Sequence, residues 1–346
     1  MDLITPDQIT DEYIIIDTRA PKEYQDHHIP NAISIPLFDD LQRHEIGFLY
    51  KQVSIPDAYN VALDYAQVNT PRILKSFEKY KDKKLLIYCS RGGLRSGIIA
   101  SFLKHYNYNV TKLKGGMKSY RNQVLKDLEM LKIPKIILIH GLVGAGKTEY
   151  IKRLENKIDL EECAQHMGSA FGAITKKPNS QKQFLFELRN QLRNVQDKPF
   201  IFVEFESRRI GNVEIPRRFW EAMARAEIWF LDVDLKKRVH RYLKVFPQDK
   251  EHQKQYIEIA KTLRGNMSNE ILNKIIEAFE KEDYELAWSL LWEHHYDPAY
   301  QHGTKHLKFT KTIDANDFEK TLKLLREYEK RTLQNVKKWS VLGKVL

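Results

Sequence analysis

The sequence predicts an α/β protein made of two successive parallel-sheet units, the second carrying a mainly helical C-terminal part. Three observations predict it. Short apolar runs that stop at a polar residue alternate with segments of helical spacing, as buried parallel strands and their crossover helices do. Two glycine-rich loops, "CSRGGLRSG" and "GLVGAGKT", each lie between such a run and a helical pattern. From about Lys236 the apolar runs give way to charged amphipathic segments.

Taken in order, "YIIIDTR" and "KLLIYCS" read as buried strands. Between them lie "PKEYQDHHIPNAISIPL", rich in turn signals, and "PDAYNVALDYAQV", with helical spacing. "GLRSGIIASFLKHYN" reads as a helix that starts on the loop after Cys89, and "VTKLKGGMKSYRNQV" as a strand, a Gly-Gly turn and a helix start. These elements predict a first domain over residues 1–128. "EMLKIPK" marks the junction, with a linker at 129–134 and a second domain over 135–346. There, "KIILIHG" is a strand, Lys147 opens a helix, and "PFIFVEFES" and "AEIWFLDVD" are further buried strands. "NEILNKIIEAFEKEDYELAWSLLWEHHYD" is the clearest amphipathic run, its aromatic stripe better suited to a core than to stacking bases.

Fifty-seven Lys+Arg against 46 Asp+Glu give a formal charge of +11, which favours a polyanionic partner such as nucleic acid or an acidic membrane face. The two cysteines, Cys89 and Cys163, fall in different predicted domains and suggest no disulfide. Nor is there an apolar stretch long enough to span a bilayer, and the start "MDLITPDQ" is no signal peptide. A cytoplasmic protein with no membrane partner is the expectation.

A cysteine at a strand end, followed by a loop that curls into a helix N-terminus, sits among backbone N–H groups. Those amides, the helix dipole and Arg91 and Arg95 favour the thiolate, the nucleophilic form. Gly92 and Gly93 let the backbone aim its amides inward. The plain alternative is a buried cysteine closing a strand. "GLVGAGKT" fits G-x-x-x-x-G-K-[ST] in full: backbone amides of a loop spanning Gly141, Gly144 and Gly146 wrap a diphosphate, Lys147 reaches its outer oxygens, and Thr148 faces a metal, Mg²⁺ by preference. Glu204 and Glu206, two apart on one strand, are placed to hold that Mg²⁺ or to activate a nucleophile; alternatively they are exposed strand-end carboxylates. His294, His295 and His302 lack metal-ligand spacing, and Cys163 reads as structural.

"IIIDTRAPKEYQDHHIPNAISIPL" together with "YCSRGGLRSG" resembles the rhodanese family. The resemblance implies a rhodanese-like parallel sheet in which Asp17, Arg19, Glu23, His28, Ile29 and Pro30 form scaffold around the loop, and Cys89 carries a persulfide or selenium. Five residues, not four, separate Cys89 from Arg95; that spacing also occurs in cysteine phosphatases, which usually carry His where this chain has Tyr88. A longer loop leaves room for a larger atom or a tetrahedral oxyanion.

A rhodanese-like half fused to a P-loop NTPase-like half resembles the tRNA 2-selenouridine synthase family. The likeness extends to "SIPLFDDLQRHEIGFLYKQVSIPDA", to His166, Gly168, Ser169, Phe171 and Gly172 in "ECAQHMGSAFG", to Glu204, Glu206, Ser207, Arg208 and Gly211 in "VEFESRRIG", and to "HHYDPAY". It implies a transferase that converts wobble 2-thiouridine of tRNA to 2-selenouridine with selenophosphate, through an S-geranyl intermediate made from geranyl diphosphate. Alkylation answers a chemical difficulty: a thiocarbonyl sulfur leaves poorly, an alkylated one leaves readily as a thiol. In that scheme the P-loop holds geranyl diphosphate, with "GSAFG" and "FLFEL" as an apolar groove. Cys89 receives or presents selenium, helped by Arg91 and Arg95, and a selenophosphate-producing enzyme is a potential partner. Tracking of the tRNA backbone falls to Arg208, Arg209, Arg217, Arg218, Arg238 and Arg241, unless these are solvated helix faces. The rival reading is a sulfurtransferase or cysteine phosphatase fused to a small-molecule kinase.

Overall fold

The structure, a computed structural model, describes residues 2–166, 177–245 and 247–342. It divides into two compact units: Met1–Met130 with Asn179–Asn190, and Leu131–Pro178 with Gln191–Leu346. The break between Met130 and Leu131 falls within "EMLKIPK". Residues 179–190, expected from the sequence in the second domain, group by their contacts with the first.

The first unit contains β1 (Asp2–Ile4), β2 (Tyr13–Asp17), α1 (Pro21–Asp26), β3 (Ile33–Ser34), α2 (Asp40–Gln52), α3 (Ile55–Phe77), β4 (Lys84–Tyr88), α4 (Leu94–His105), β5 (Asn109–Leu113) and α5 (Gly116–Met130). Its strands form an all-parallel sheet in the order β1-β5-β4-β2-β3. Central β4, with Leu85, Leu86, Ile87 and Tyr88 fully buried, is covered on both faces, which is why "KLLIY" lacks period-two alternation. Ile16, Ile87, Ile99, Leu103 and Phe77 meet in its core. The stretch read as turns contains a helix, α1: Pro21 suits a first helical position, and the Glu23 carboxylate accepts from the Ala20 amide at 3.2 Å.

The second unit contains β6 (Lys135–Gly141), α6 (Lys147–Lys152), β7 (Lys157–Ile158), α7 (Leu160–Ala164), α8 (Gln181–Val195, whose first turns belong to the first unit), β8 (Phe200–Glu204), β9 (Arg209–Ile210), β10 (Val213–Glu214), α9 (Arg217–Ala224), β11 (Glu227–Asp232), α10 (Leu235–Leu243), α11 (Lys250–Thr262), α12 (Asn269–Glu280), α13 (Tyr284–Leu291), α14 (Asp297–Thr304), β12 (Lys311–Asp314) and α15 (Phe318–Leu342). A parallel sheet in the order β12-β11-β6-β8-β7 places the loop-bearing strand at its centre. Helices α10 to α13 bury their own core around Trp288, Trp292, Tyr256 and Phe279. The aromatic stripe is therefore core, as the helical spacing predicted. Between α13 and α14 the chain makes a π-helical turn, Trp292–Tyr296, a rare geometry that often accompanies functional positions. No helix among the described residues is long and apolar enough to cross a membrane.

Candidate active site: a thiol loop and a phosphate loop

The thiol loop joins β4 to α4. Cys89 is 3% exposed, and its sulfur lies 3.3 Å from the Ser96 hydroxyl, one turn into α4. Burial pushes the thiol up, but the Ser96 hydroxyl and amide, the Arg95 charge and the Arg91 amide outweigh it, and the pKa falls below the ordinary cysteine value. That combination favours Cys89 as a nucleophile. Arg91 is exposed. Arg95 is not free: its guanidinium bonds Glu23 at 2.5 Å and the Ser90 hydroxyl at 2.6 Å, and Ser90 in turn donates to Glu23 at 2.9 Å. Burial alone would raise the Glu23 carboxyl; Arg95, helped by Ser90, holds it at about 2.

Behind the loop, the residues of the D-x-R signature act as scaffold. Buried Asp17 accepts from Arg19 and, at 2.7 Å, from the Tyr88 hydroxyl, while that hydroxyl accepts from the Ile29 amide at 3.2 Å. Tyr88, in the place phosphatases give to His, thus ties the strand end to the "HIP" segment. His28 stacks on Tyr24 and binds Gln183 through its amide. A further support was visible in the sequence only as a turn. At Gly116 (φ +58°) a Cβ would collide with the Cys89 carbonyl, and the amides of Met117 and Lys118 donate to the carbonyls of Cys89 and Ser90 at 2.9 and 3.0 Å.

In the second unit the phosphate loop runs from Gly141 to Thr148, with Gly144 and Gly146 at φ +77° and +86°. The Lys147 ammonium donates to the Gly141 carbonyl at 3.0 Å and lies 4.0 Å from Glu204. The Thr148 hydroxyl sits 2.9 Å from Glu161 and 3.0 Å from Glu204. Glu204 ends β8, and Glu206 follows in the loop beyond it. Together with Glu161 they bring three carboxylate oxygens within 4.8 Å of one another. Burial, then mutual repulsion, raises all three: Glu161 and Glu206 to about 8, and Glu204 well above the carboxylate range. Burial works against the Lys147 ammonium, yet Tyr300 and the same carboxylates keep its pKa above the usual lysine value. Three crowded carboxylates and a threonine hydroxyl form an all-oxygen donor set suited to Mg²⁺. Sequence reasoning missed Glu161; its only signal was the acidic pair beside Cys163, which itself is buried in α7.

A cavity of about 480 Å³ opens from the loop. Lys147, Thr148 and the three glutamates form its charged end; Val143, Tyr242, Val245, Leu263, Tyr296 and Tyr300 supply apolar and aromatic wall. This is not the groove expected from sequence. Phe184, Phe186 and Leu188 of "FLFEL" are buried in the first unit, where Phe186 meets Tyr120 edge to face. "GSAFG" lies outside the described residues, as do Gly168, Ser169, Phe171 and Gly172. His140, immediately before Gly141, is buried among Phe205, Phe230 and Phe309; burial, then the Lys147 charge, lowers its pKa to about 4, so its ring stays neutral.

The arginines assigned to tRNA have local partners. Arg208 pairs with Glu214 at 2.6 Å, Arg217 with Glu221 at 2.7 Å, Arg209 donates to the Gly211 carbonyl and Arg218 to that of Leu131. Arg238 and Arg241 were misassigned. Arg238 is 3% exposed and bound to Asp297, and Arg241 donates to the carbonyls of Ala145 and Ala315, so both support the phosphate loop.

Comparison with known proteins gives a consistent picture. The profile described as the tRNA 2-selenouridine synthase AAA domain matches residues 134–332, and that of the rhodanese-like domain matches residues 5–48 and 42–123. The chain is 34% identical over 228 residues to a protein of Chromohalobacter salexigens named tRNA 2-selenouridine synthase, covering 64% of this chain and 62% of that one. Proteins of the same name from Psychromonas ingrahamii and Sulfurovum sp. are 26% and 28% identical, covering 91% and 83% of this chain and 93% and 88% of theirs.

Proposed function

This chain belongs to the tRNA 2-selenouridine synthase family, and from that premise we propose that it replaces sulfur by selenium in wobble 2-thiouridine of tRNA, alkylating the sulfur first. The observation that carries the reading is the cavity in which a phosphate loop and an aromatic-aliphatic wall meet, a shape and polarity that suit an allylic diphosphate such as geranyl diphosphate.

In the first reaction the thiocarbonyl sulfur attacks C1 of the geranyl group, the C1–O bond breaks, diphosphate departs, and the base loses its N3 proton. Lys147 and the loop amides stabilise the charge that gathers on the departing diphosphate. Thr148, Glu161, Glu204 and Glu206 are the residues to hold Mg²⁺, which supplies further neutralisation of that charge. In the second reaction the selenium of selenophosphate adds at C2, the C2–S bond breaks and the geranyl thiolate leaves and takes up a proton, and water then cleaves the P–Se bond to release phosphate. The Cys89 loop holds the selenophosphate oxyanion for that step, beside Arg91 and Arg95. The +11 charge supports a tRNA partner, with Arg208, Arg209, Arg217 and Arg218 as its surface contacts and a selenophosphate-producing enzyme as donor partner.

The test is nucleoside mass spectrometry after incubating thiolated tRNA, geranyl diphosphate and selenophosphate with the protein. Wild type yields both products, Lys147→Ala loses S-geranylation, and Cys89→Ser geranylates without inserting selenium. Absence of any 2-thiouridine-derived product with wild type, or tight ATP binding with hydrolysis, overturns the assignment.

A further inference from the structure

The phosphate loop is pinned by one helix, α10, whose Arg241 and Tyr242 also line the cavity. Two arginines of α10, three residues apart and so on one face, each reach a loop carbonyl: Arg238 donates to Val143 O at 3.0 Å and Arg241 to Ala145 O at 3.0 Å. In a trans peptide the C=O and the following N–H point in opposite directions, and no peptide bond among the described residues is cis. Fixing Val143 O and Ala145 O toward α10 therefore turns the N–H groups of Gly144 and Gly146 the other way. Both glycines line the cavity, and both hold positive φ.

The guanidinium of Arg238 is itself aimed. Asp297 takes it with both oxygens, at 3.0 and 2.5 Å, and it lies 5.6 Å from the centroid of the Trp292 ring. Asp297 belongs to "HHYDPAY", just after the π-helical turn that begins at Trp292. The same turn sets how closely the loop packs: a Cβ on Gly144 would come within 2.6 Å of Trp292.

We infer that Arg238 and Arg241 are positioning residues that preorganise the amides of Gly144 and Gly146 for the diphosphate, and that Asp297 aims Arg238. The inference rests on the reading of this loop as a diphosphate cradle. An unpinned peptide is free to turn its carbonyl oxygen toward the anion, so each lost pin replaces attraction by repulsion and removes preorganisation.

Calorimetric titration of the full chain with inorganic diphosphate and Mg²⁺ tests it. Wild type binds; Asp297→Asn and Arg241→Gln each weaken binding roughly tenfold, about 1.4 kcal/mol. Arg238→Lys behaves like Asp297→Asn, because an ammonium cannot serve the carbonyl and both carboxylate oxygens in the guanidinium's planar fork. In steady-state geranylation the loss falls on KM for geranyl diphosphate more than on kcat. Variants that melt earlier yet bind diphosphate as wild type does would show a purely structural role and overturn the inference while leaving the cradle intact. No diphosphate binding by wild type overturns the cradle and the inference together. Should Asp297→Asn fail to fold, Arg241→Gln, which leaves the buried ion pair intact, decides between the same two outcomes.

Discussion

The two anion loops solve the same geometric problem with opposite electrostatics. Around Cys89 one of the loop's two arginines is already partnered, Arg95 being held by Glu23 and Ser90, while Arg91 is exposed, so the loop keeps a modest cationic excess. Around Lys147 the imbalance is left standing: three carboxylates crowd one ammonium, and the guanidinium groups nearby are spent on carbonyls. A loop of hydrogen-bond donors with a modest cationic excess suits a nucleophile that has to be a thiolate before its substrate arrives. An over-acidic pocket suits a site completed by a cation bound with its diphosphate.

That contrast can be broken in several places. Lys147→Ala carries the largest effect: loss of the ammonium should slow geranylation by about 10²–10³-fold, while thiol reactivity at Cys89 stays as in wild type. Equal geranylation by the variant would remove the phosphate loop from the chemistry. Next comes Glu161→Gln, which should weaken Mg²⁺ binding by about 10–100-fold, read from the Mg²⁺ dependence of diphosphate affinity. An unchanged dependence would leave Glu204 and Glu206 as the cation's carboxylates without it.

Stability against pH separates the two loops by sign. Glu161 and Glu206, with folded pKa values raised to about 8, bind protons that the unfolded chain has already released, so without divalent cation stability falls as pH rises through the interval between 4.5 and about 8. Glu23, depressed to about 2, contributes stability that is present above about 4.5 and is lost as pH falls toward 2. Melting curves for Glu161→Gln and Glu23→Gln should therefore depart from wild type with opposite signs as pH rises: Glu161→Gln becomes the more stable toward pH 8, whereas Glu23→Gln costs about 2 kcal/mol at neutral pH and converges on wild type toward pH 2. The smallest effect is on the thiol: Arg95→Ala should move the Cys89 titration midpoint upward, measured by the pH dependence of alkylation. An unmoved midpoint would mean that Arg95, already bound to Glu23, contributes nothing to the thiolate.

Much of this was legible because both loops are continuous in sequence. Cys89 through Arg95 and Gly141 through Thr148 carry their glycines, nucleophile and cations within a few residues, and an apolar strand before each announces its place in a sheet. Glu204 and Glu206 were legible for the same reason. Glu161 was not, since it reaches Thr148 from α7, thirteen residues away, and no local pattern separates it from Glu162. Arg238 and Arg241 were misread because a basic pair on an amphipathic helix looks the same whether it faces solvent or a buried carbonyl. The apolar wall was misplaced because residues 143, 242, 245, 263 and 296 come together only when the helical region folds back on the loop.

What the sequence determined by itself was the chemistry carried by short contiguous stretches: two parallel sheets, a thiol loop, a phosphate loop, and the family likeness that joins them. Backbone hydrogen bonding and hydrophobic period are local properties, and they write themselves into neighbouring residues. The tertiary structure decided which separated charges meet. It gave Arg95 to Glu23, Arg238 to Asp297, and Glu161 to Thr148, because pairing between different elements depends on where those elements cross rather than on what lies beside each residue in the chain.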